Sequence, residues 1–369
     1  MLTYFDLILI DLVFLVCLLF PFVWKNEHSN LFIVPIVMIT SVFLLLASLR
    51  DTSFTFDTLN YISWFERVAV ESDLMSIFTV NVDRNGLARD PGFSFFLWCL
   101  SKISNDPIFL LVVFSASILF FVIKIAKLLG LSNKDLLVFL ILILSSRMFF
   151  EFTTNQYRST IVFLVCIYAF LRYQRKGGLI SLLLIPLMLL FHKKVVVMFL
   201  MVLLIARICK LQWLRWMIPV SILVFIFPFI ILWPMEQFIY FFSKFGSFLY
   251  TPSFINESAG TTSYITVGFV VLYTLPFIFL LFMKLRLISE SDIFLLKVSL
   301  VCFILFFSTY QHFAESFRLM QVSIPVLTLL AVKYVRTKYY AVFFLLVCFN
   351  ILVINKNVLE MQIGVFSRF

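Results

Sequence analysis

The sequence predicts an all-α polytopic membrane protein, and three observations predict it. Of 369 residues, 63% are hydrophobic and 13% charged, where a soluble domain carries roughly 45–50% and about 25%. Mean hydropathy is +1.09, so too little polar surface exists to coat a globule and lipid has to act as solvent. Apolar runs recur along the whole chain between short charged blocks. A backbone in lipid must satisfy its polar groups internally, which helices do within one segment. The expectation is a single integral membrane domain over 1–369 with about twelve spans.

The expected spans are 4–24, 31–49, 107–123, 136–150, 159–171, 179–191, 195–206, 216–235, 265–283, 293–310, 319–332 and 339–354. The first carries Asp6 and Asp11 rather than leading basic residues, and no small-residue cleavage site follows, so it reads as a span and not a cleavable signal. Residues 50–92 and 236–264 are the two long loops. Within the former, Asp57, Tyr61, Trp64, Phe65 and Val68 recur at helical spacing, which predicts an amphipathic helix. Asp90-Pro91-Gly92 then opens the apolar stretch Phe93–Ile103. At about 11 residues it is too short for a core roughly 30 Å thick, so it reads as a re-entrant or interfacial helix.

Net charge is +10, but it is dispersed in short loops and no aromatic-basic nucleic-acid module is visible. One alternate set of loops carries Lys25, then Lys124, Lys127 and Lys134, then Arg172, Arg175 and Lys176, and further on Arg207, Lys210 and Arg215. The same set continues with Lys284, Arg286 and Lys297 and with Lys333, Arg336 and Lys338, against Glu27, Asp135, Glu290 and Asp292. That side is expected to be cytoplasmic, which puts loops 50–92 and 236–264 outside. The assignment depends on 179–206. A single helix there would hold Lys193 and Lys194 at mid-bilayer, at about 2.5–3.5 kcal/mol each. Two short helices forming a hairpin with His192-Lys193-Lys194 at an outward tip avoid that cost. Helices this short are tolerated where they border a water-filled cavity, so a cavity is expected among 136–206.

The outward corners gather the ionisable residues. Arg147, Glu151, Asn155 and Arg158 follow i+4, i+4, i+3 spacing, which would align them on one face of a continuing helix. His312, Glu315 and Arg318 form a second corner and His192-Lys193-Lys194 a third. Ionisable groups at membrane depth are expensive and mark functional paths. A cavity lined by Arg50, Arg147, Arg158 and Arg318 suits an anionic substrate, because guanidinium grips phosphate bidentately. His192, Glu151, Glu315 and Asp57 are the candidates for a base, and His192 leads because imidazole titrates near neutrality; it serves equally as a phosphate ligand.

Several chemistries lose ground. No CxxC, HExxH, Walker loop, GxGxxG or DxD occurs, and Cys17, Cys99, Cys166, Cys209, Cys302 and Cys348 are scattered singly. No cofactor or metal is expected. Internal repeats of the kind found in transporters are not visible.

The ordered motifs resemble the EpsG-like and Wzy-type polysaccharide polymerases. Arg50-Asp51-Thr52, Asp57, Tyr61 and Phe65 are similar to the stretch after the second span, and Asp90-Pro91-Gly92-Phe93 to the entry into a half-helix. Asn155-Gln156-Tyr157-Arg158-Ser159 resembles the polar corner before the fifth span. His192 after Arg175-Lys176-Gly177-Gly178 resembles the helix-ending histidine, and Glu315-Ser316-Phe317-Arg318 the late arginine corner. Lys193 and Lys194 depart from the small residues usual after that histidine. The resemblance implies a GT-C-like bundle around an outward-facing cavity. It implies a glycosyltransferase of the bacterial inner membrane, active at its periplasmic face, that polymerises undecaprenyl-pyrophosphate-linked oligosaccharides for O-antigen of lipopolysaccharide or a related glycan. Catalytic roles fall to His192, Glu151 and Glu315, and substrate binding to Arg50, Asp57, Tyr61, Arg147, Arg158 and Arg318. Partners would be the lipid-linked oligosaccharides, membrane lipids and a chain-length regulator. An O-antigen ligase and a lipid-linked glycan transporter are the alternatives.

Overall fold

A computed structural model describes residues 29–49, 56–71, 90–146, 149, 152–153, 156–226, 262–308 and 313–335, with scattered positions in 12–24. Side chains are described throughout these ranges except at 49, 56–57, 223–226, 262–272 and 313–317. Among the described residues there are helices and no strand. Most of the first expected span, the last span, loop 236–264, Arg50, Arg147, Glu151 and His312 lie outside them, as do the side chains of Asp57 and Glu315.

The first compact unit comprises Met1–Val196 and Val335–Phe369. Its helices are α1 (Ile33–Leu49), α2 (Phe56–Ala69), α3 (Pro91–Ser101), α4 (Pro107–Leu128), α5 (Asn133–Leu144), α6 (Tyr157–Lys176), the single turn α7 (Leu179–Leu182) and the start of α8 (Leu184–Ile208). Local chemistry sets the boundaries. Asp106 caps α4 by accepting from the Ile108 N–H at 2.8 Å, with Pro107 at the first helical position. Ser132 caps α5 by accepting from the Asp135 N–H, and its hydroxyl donates back to the Asp135 carboxylate. Gly177, at φ 72, ends α6 after Arg175 and Lys176, which complement the helix dipole.

α4 packs on α6 and α1, α1 on α5, and α2 on α3 and α4. α5 is buried on every side over Lys134–Leu144, the signature of a helix enclosed by protein. The sequence placed a span at 136–150; α5 stops at Leu144 after twelve residues, a length tolerated where protein encloses a helix. By contrast α1 exposes Val34, Val37, Met38 and Leu45, a face suited to lipid.

The second unit is Val197–Tyr334. It holds the remainder of α8, then α9 (Leu211–Ile226), α10 (Thr262–Met283), α11 (Glu290–Ser308) and α12 (Phe313–Val335). α9 packs on α11. Helices in lipid gain nothing by hiding leucine from water, so packing and interhelical hydrogen bonds hold them. Ser323 on α12 donates to the Ser299 carbonyl on α11 at 3.0 Å, and the hydroxyls of Tyr273 and Thr328 join α10 to α12 at 3.2 Å.

Asn30–Ser48, Pro107–Leu128, Leu179–Ile208, Glu290–Ser308 and Arg318–Val335 are long and apolar enough to cross a membrane. The chain is therefore a membrane-embedded all-α protein.

Candidate functional site

The site in the first unit is built from the buried face of α2, the starts of α3 and α6, and a break in α8. α2 is the amphipathic helix that the spacing predicts. Tyr61, Trp64, Phe65 and Val68 are buried, while Glu66 and Arg67 face outward. α3 is the expected half-helix, beginning two residues earlier than its apolar run because Pro91 suits the first helical position.

Asp90 stands at the N-cap of α3 in a left-handed conformation, φ 45 and ψ 70. That costs a residue with a Cβ about 1–2 kcal/mol, aspartate being one of the few that tolerate it. Its carboxylate does not cap its own helix. Instead Oδ2 accepts from Arg158 Nη1 at 2.6 Å. Arg158, in the first turn of α6, has its guanidinium carbon 5.5 Å from the Trp64 ring centre and 5.4 Å from that of Phe93. A desolvated cation over an aromatic face gains about 2 kcal/mol. The rings brace one another: Trp64 meets Phe93 edge-on at 5.1 Å, and Tyr61 contacts Phe93, Phe114 and Tyr157. The aromatic shell therefore holds the guanidinium in one place.

The corner at 147–158, whose spacing aligns its residues only on a continuing helix, is interrupted at Gln156. α5 ends at Leu144, Ser145 and Ser146 follow, and α6 starts only at Tyr157, after Gln156 at φ −115 and ψ 42. Arg147, Glu151 and Asn155 lie outside the described residues. At the break itself the Thr160 hydroxyl donates to the carbonyls of Phe152 and Gln156.

His192 is where α8 loses helical geometry, with φ −162 and ψ 85. The sequence expected a three-residue tip. The break is one residue wide, because Lys193 already resumes the helix. His192 is 6% exposed, whereas Lys193 is exposed and Lys194 half-buried. One wide-angle residue thus takes the imidazole into protein and leaves the first ammonium outside it. α3 reaches this break directly. A Cβ on Gly92 would lie 2.8 Å from Leu190 Cβ and 3.2 Å from the Leu190 carbonyl, so only glycine permits the approach. Phe96 and Phe191 meet beside it with tilted rings, their centres 6.0 Å apart. The Asp90-Pro91-Gly92 turn therefore touches Arg158 with its first residue and Leu190, two residues before the His192 break, with its third.

The structure places Tyr61 against Phe93, one of the two rings that hold Arg158, and Gly92 against Leu190, two residues before His192. Arg318 is a half-buried residue of α12 in the second unit, one turn before the buried Gln321. Sequence reasoning missed three participants: Asp90 as the partner of Arg158, and Trp64 and Phe93 as its aromatic support. Trp64 and Phe93 were visible as apolar positions, but no spacing rule links residues 64, 90 and 158.

A model of the EpsG family matches residues 33–363, nearly the whole chain. No curated protein and no solved structure matches.

Proposed function

Starting from the fact that this chain belongs to the EpsG family, membrane proteins of polysaccharide biosynthesis that include the Wzy-type polymerases, we propose that it is a polysaccharide polymerase. It joins undecaprenyl-pyrophosphate-linked repeat units at the periplasmic face of the inner membrane, by glycosyl transfer that needs no metal. A hydroxyl of the incoming unit attacks the anomeric carbon of the growing glycan. The bond from that carbon to the lipid pyrophosphate breaks, the pyrophosphate leaves with the electron pair, and the hydroxyl proton passes to a base.

The observation that carries this reading is Arg158, a guanidinium held against the rings of Trp64 and Phe93 at the start of its helix. Charge builds on the departing pyrophosphate, and a pre-positioned cation in a dry site stabilises it without reorganising. Arg50, Arg147 and Arg318 are proposed to share that role, and Asp57 and Tyr61 to contact the glycan. His192, buried at the break, is the proposed base, with Glu151 and Glu315 as the other carboxylate candidates. A chain-length regulator is the proposed protein partner.

The test uses purified full-length protein in detergent with one synthetic lipid-linked repeat unit. A ladder of longer glycans with release of undecaprenyl pyrophosphate is the expected result. Transfer only to a lipid A-core acceptor would identify a ligase. Movement of intact lipid-linked units across vesicles without any ladder would identify a transporter.

A further inference from the structure

The Arg158–Asp90 pair is incomplete in a way that points to a second state; this inference rests on the reading of Arg158 as a phosphate-binding arginine. Guanidinium offers five N–H donors in a planar fork. Its contact with Asp90 uses a single nitrogen and a single oxygen, Nη1 to Oδ2. Arg158 Nε is buried and has no hydrogen-bond partner among the described residues. The same holds for the indole Nε1 of Trp64, a residue 8% exposed whose ring lies against that guanidinium. Two donors are thus shut away without acceptors next to a cation, and buried donors left unmatched call for an explanation.

Asp90 shows the complementary anomaly. It occupies the N-cap of an eleven-residue helix, where aspartate is favoured because its carboxylate accepts from the N–H groups of the first turn. It makes no such bond, and its backbone is left-handed. A carboxylate on guanidinium has the charge and oxygen spacing of one edge of a phosphate.

We propose that Asp90 is a displaceable stand-in for the substrate's phosphate on Arg158, and that Trp64 Nε1 and Arg158 Nε are the donors phosphate oxygens take up when it leaves. In the resting site the pair neutralises a cation at membrane depth. When phosphate arrives, the Asp90 carboxylate shifts toward the Gly92 N–H at the start of α3, the Phe93 N–H already donating to the Asp90 carbonyl at 3.0 Å. There the helix N-terminus compensates its charge. The aromatic rings hold the guanidinium through both states, so only the carboxylate has to move. When lipid pyrophosphate has formed, return of Asp90 competes it off the arginine.

The probe is inorganic pyrophosphate, and the readout is the melting temperature of the full-length protein in detergent, with sulfate at equal ionic strength as the control. Ligand that binds only the folded state raises Tm in proportion to occupancy. Wild type is expected to be stabilised by pyrophosphate beyond sulfate. Asp90→Asn keeps the capping shape and removes the competing charge, so half-maximal stabilisation should need about tenfold less pyrophosphate. Asp90→Ser also caps helices; it should shift the same way and covers the case in which the asparagine variant folds poorly. Trp64→Phe keeps a ring and deletes the N–H, so it should need several-fold more, and Arg158→Lys should lose most of the effect.

An unchanged or higher requirement in both Asp90 variants means that the carboxylate positions Arg158, and overturns the proposal. Absence of pyrophosphate stabilisation in wild type overturns it as well, and Trp64→Phe indistinguishable from wild type removes the indole from it. If the expected order appears in a protein that makes no polymer from lipid-linked units, this inference stands and the polymerase reading falls.

Discussion

The Arg158–Asp90 pair of the first unit and the Lys333–Asp292 pair of the second have the same N···O separation, 2.6 Å, and differ in what surrounds them. Asp292 is fully buried and accepts from Lys333 and from the Tyr334 hydroxyl on one oxygen. Ser289 joins the same group: its N–H donates to the Tyr334 oxygen, and its hydroxyl accepts from the Asp292 N–H. The acid sits in the first turn of α11 and the lysine in the last turn of α12, the ends where the helix dipoles favour them. Asp90, by contrast, leaves its own helix uncapped, and Arg158 leaves Nε without a partner among the described residues. A pair whose neighbours answer every charge is a staple between helices. One with donors left over beside an aromatic floor is equipped to exchange partners.

The sharpest way to break that comparison is Arg158→Lys. Lysine keeps the charge and loses the fork, so polymer formation should fall on the order of 100-fold, with Tm little changed. Full-length polymer at normal expression would reduce Arg158 to an interfacial charge. The reciprocal experiment is Asp292→Asn. It should lower stability by about 2–3 kcal/mol, since Lys333 loses its counter-ion, while turnover per folded molecule stays at the wild-type level. A drop in turnover without a drop in Tm would make the second pair part of the site.

His192→Gln and His192→Arg sharpen the reading of the break. A base predicts normal binding of the lipid-linked donor and little polymer from the glutamine variant. A phosphate ligand predicts weakened binding that arginine partly restores. Wild-type rates in both variants would send the search for the base to Glu151, Glu315 and Asp57. Gly92→Ala is expected to have a smaller effect, about 1–3 kcal/mol from overpacking α3 against Leu190. Because the displaced helix carries Asp90, KM for the donor should rise with it; lost stability at an unchanged KM would confine Gly92 to packing.

The smallest perturbation concerns topology. Single cysteines at Gly177 and at Lys210, in a background without the native cysteines, should label from the same side with an impermeant reagent. That outcome follows if the chain turns back at His192, and it keeps Lys124–Lys134, Arg172–Lys176 and Arg207–Arg215 together, as the positive-inside rule requires. Labelling from opposite sides would make 179–208 a single crossing and reverse the side of every later loop.

How much of this was legible depends on the range of the interaction. The face of α2, the half-helix opened by Asp90-Pro91, the glycine stop at Gly177 and the break at His192 all follow from residues within a turn or two of each other. Periodicity, capping and the cost of burying lysine act over that distance. The corner at 147–158 lies at the limit of such rules: i+4 spacing aligns residues only while a helix continues, and Gln156 departs from helical geometry just before Arg158.

Composition by itself settled that this chain lives in lipid as helices, because no other backbone arrangement fits so few polar residues, and the ordered motifs settled its family. Tertiary structure alone decided which residues act as pairs. Residues 90 and 158 meet, 64 and 93 enclose the guanidinium, and 292 and 333 close on each other. Those contacts depend on which helix faces lie side by side. That is fixed by the summed packing of many side chains, such as Gly92 against Leu190, and not by any spacing along the chain.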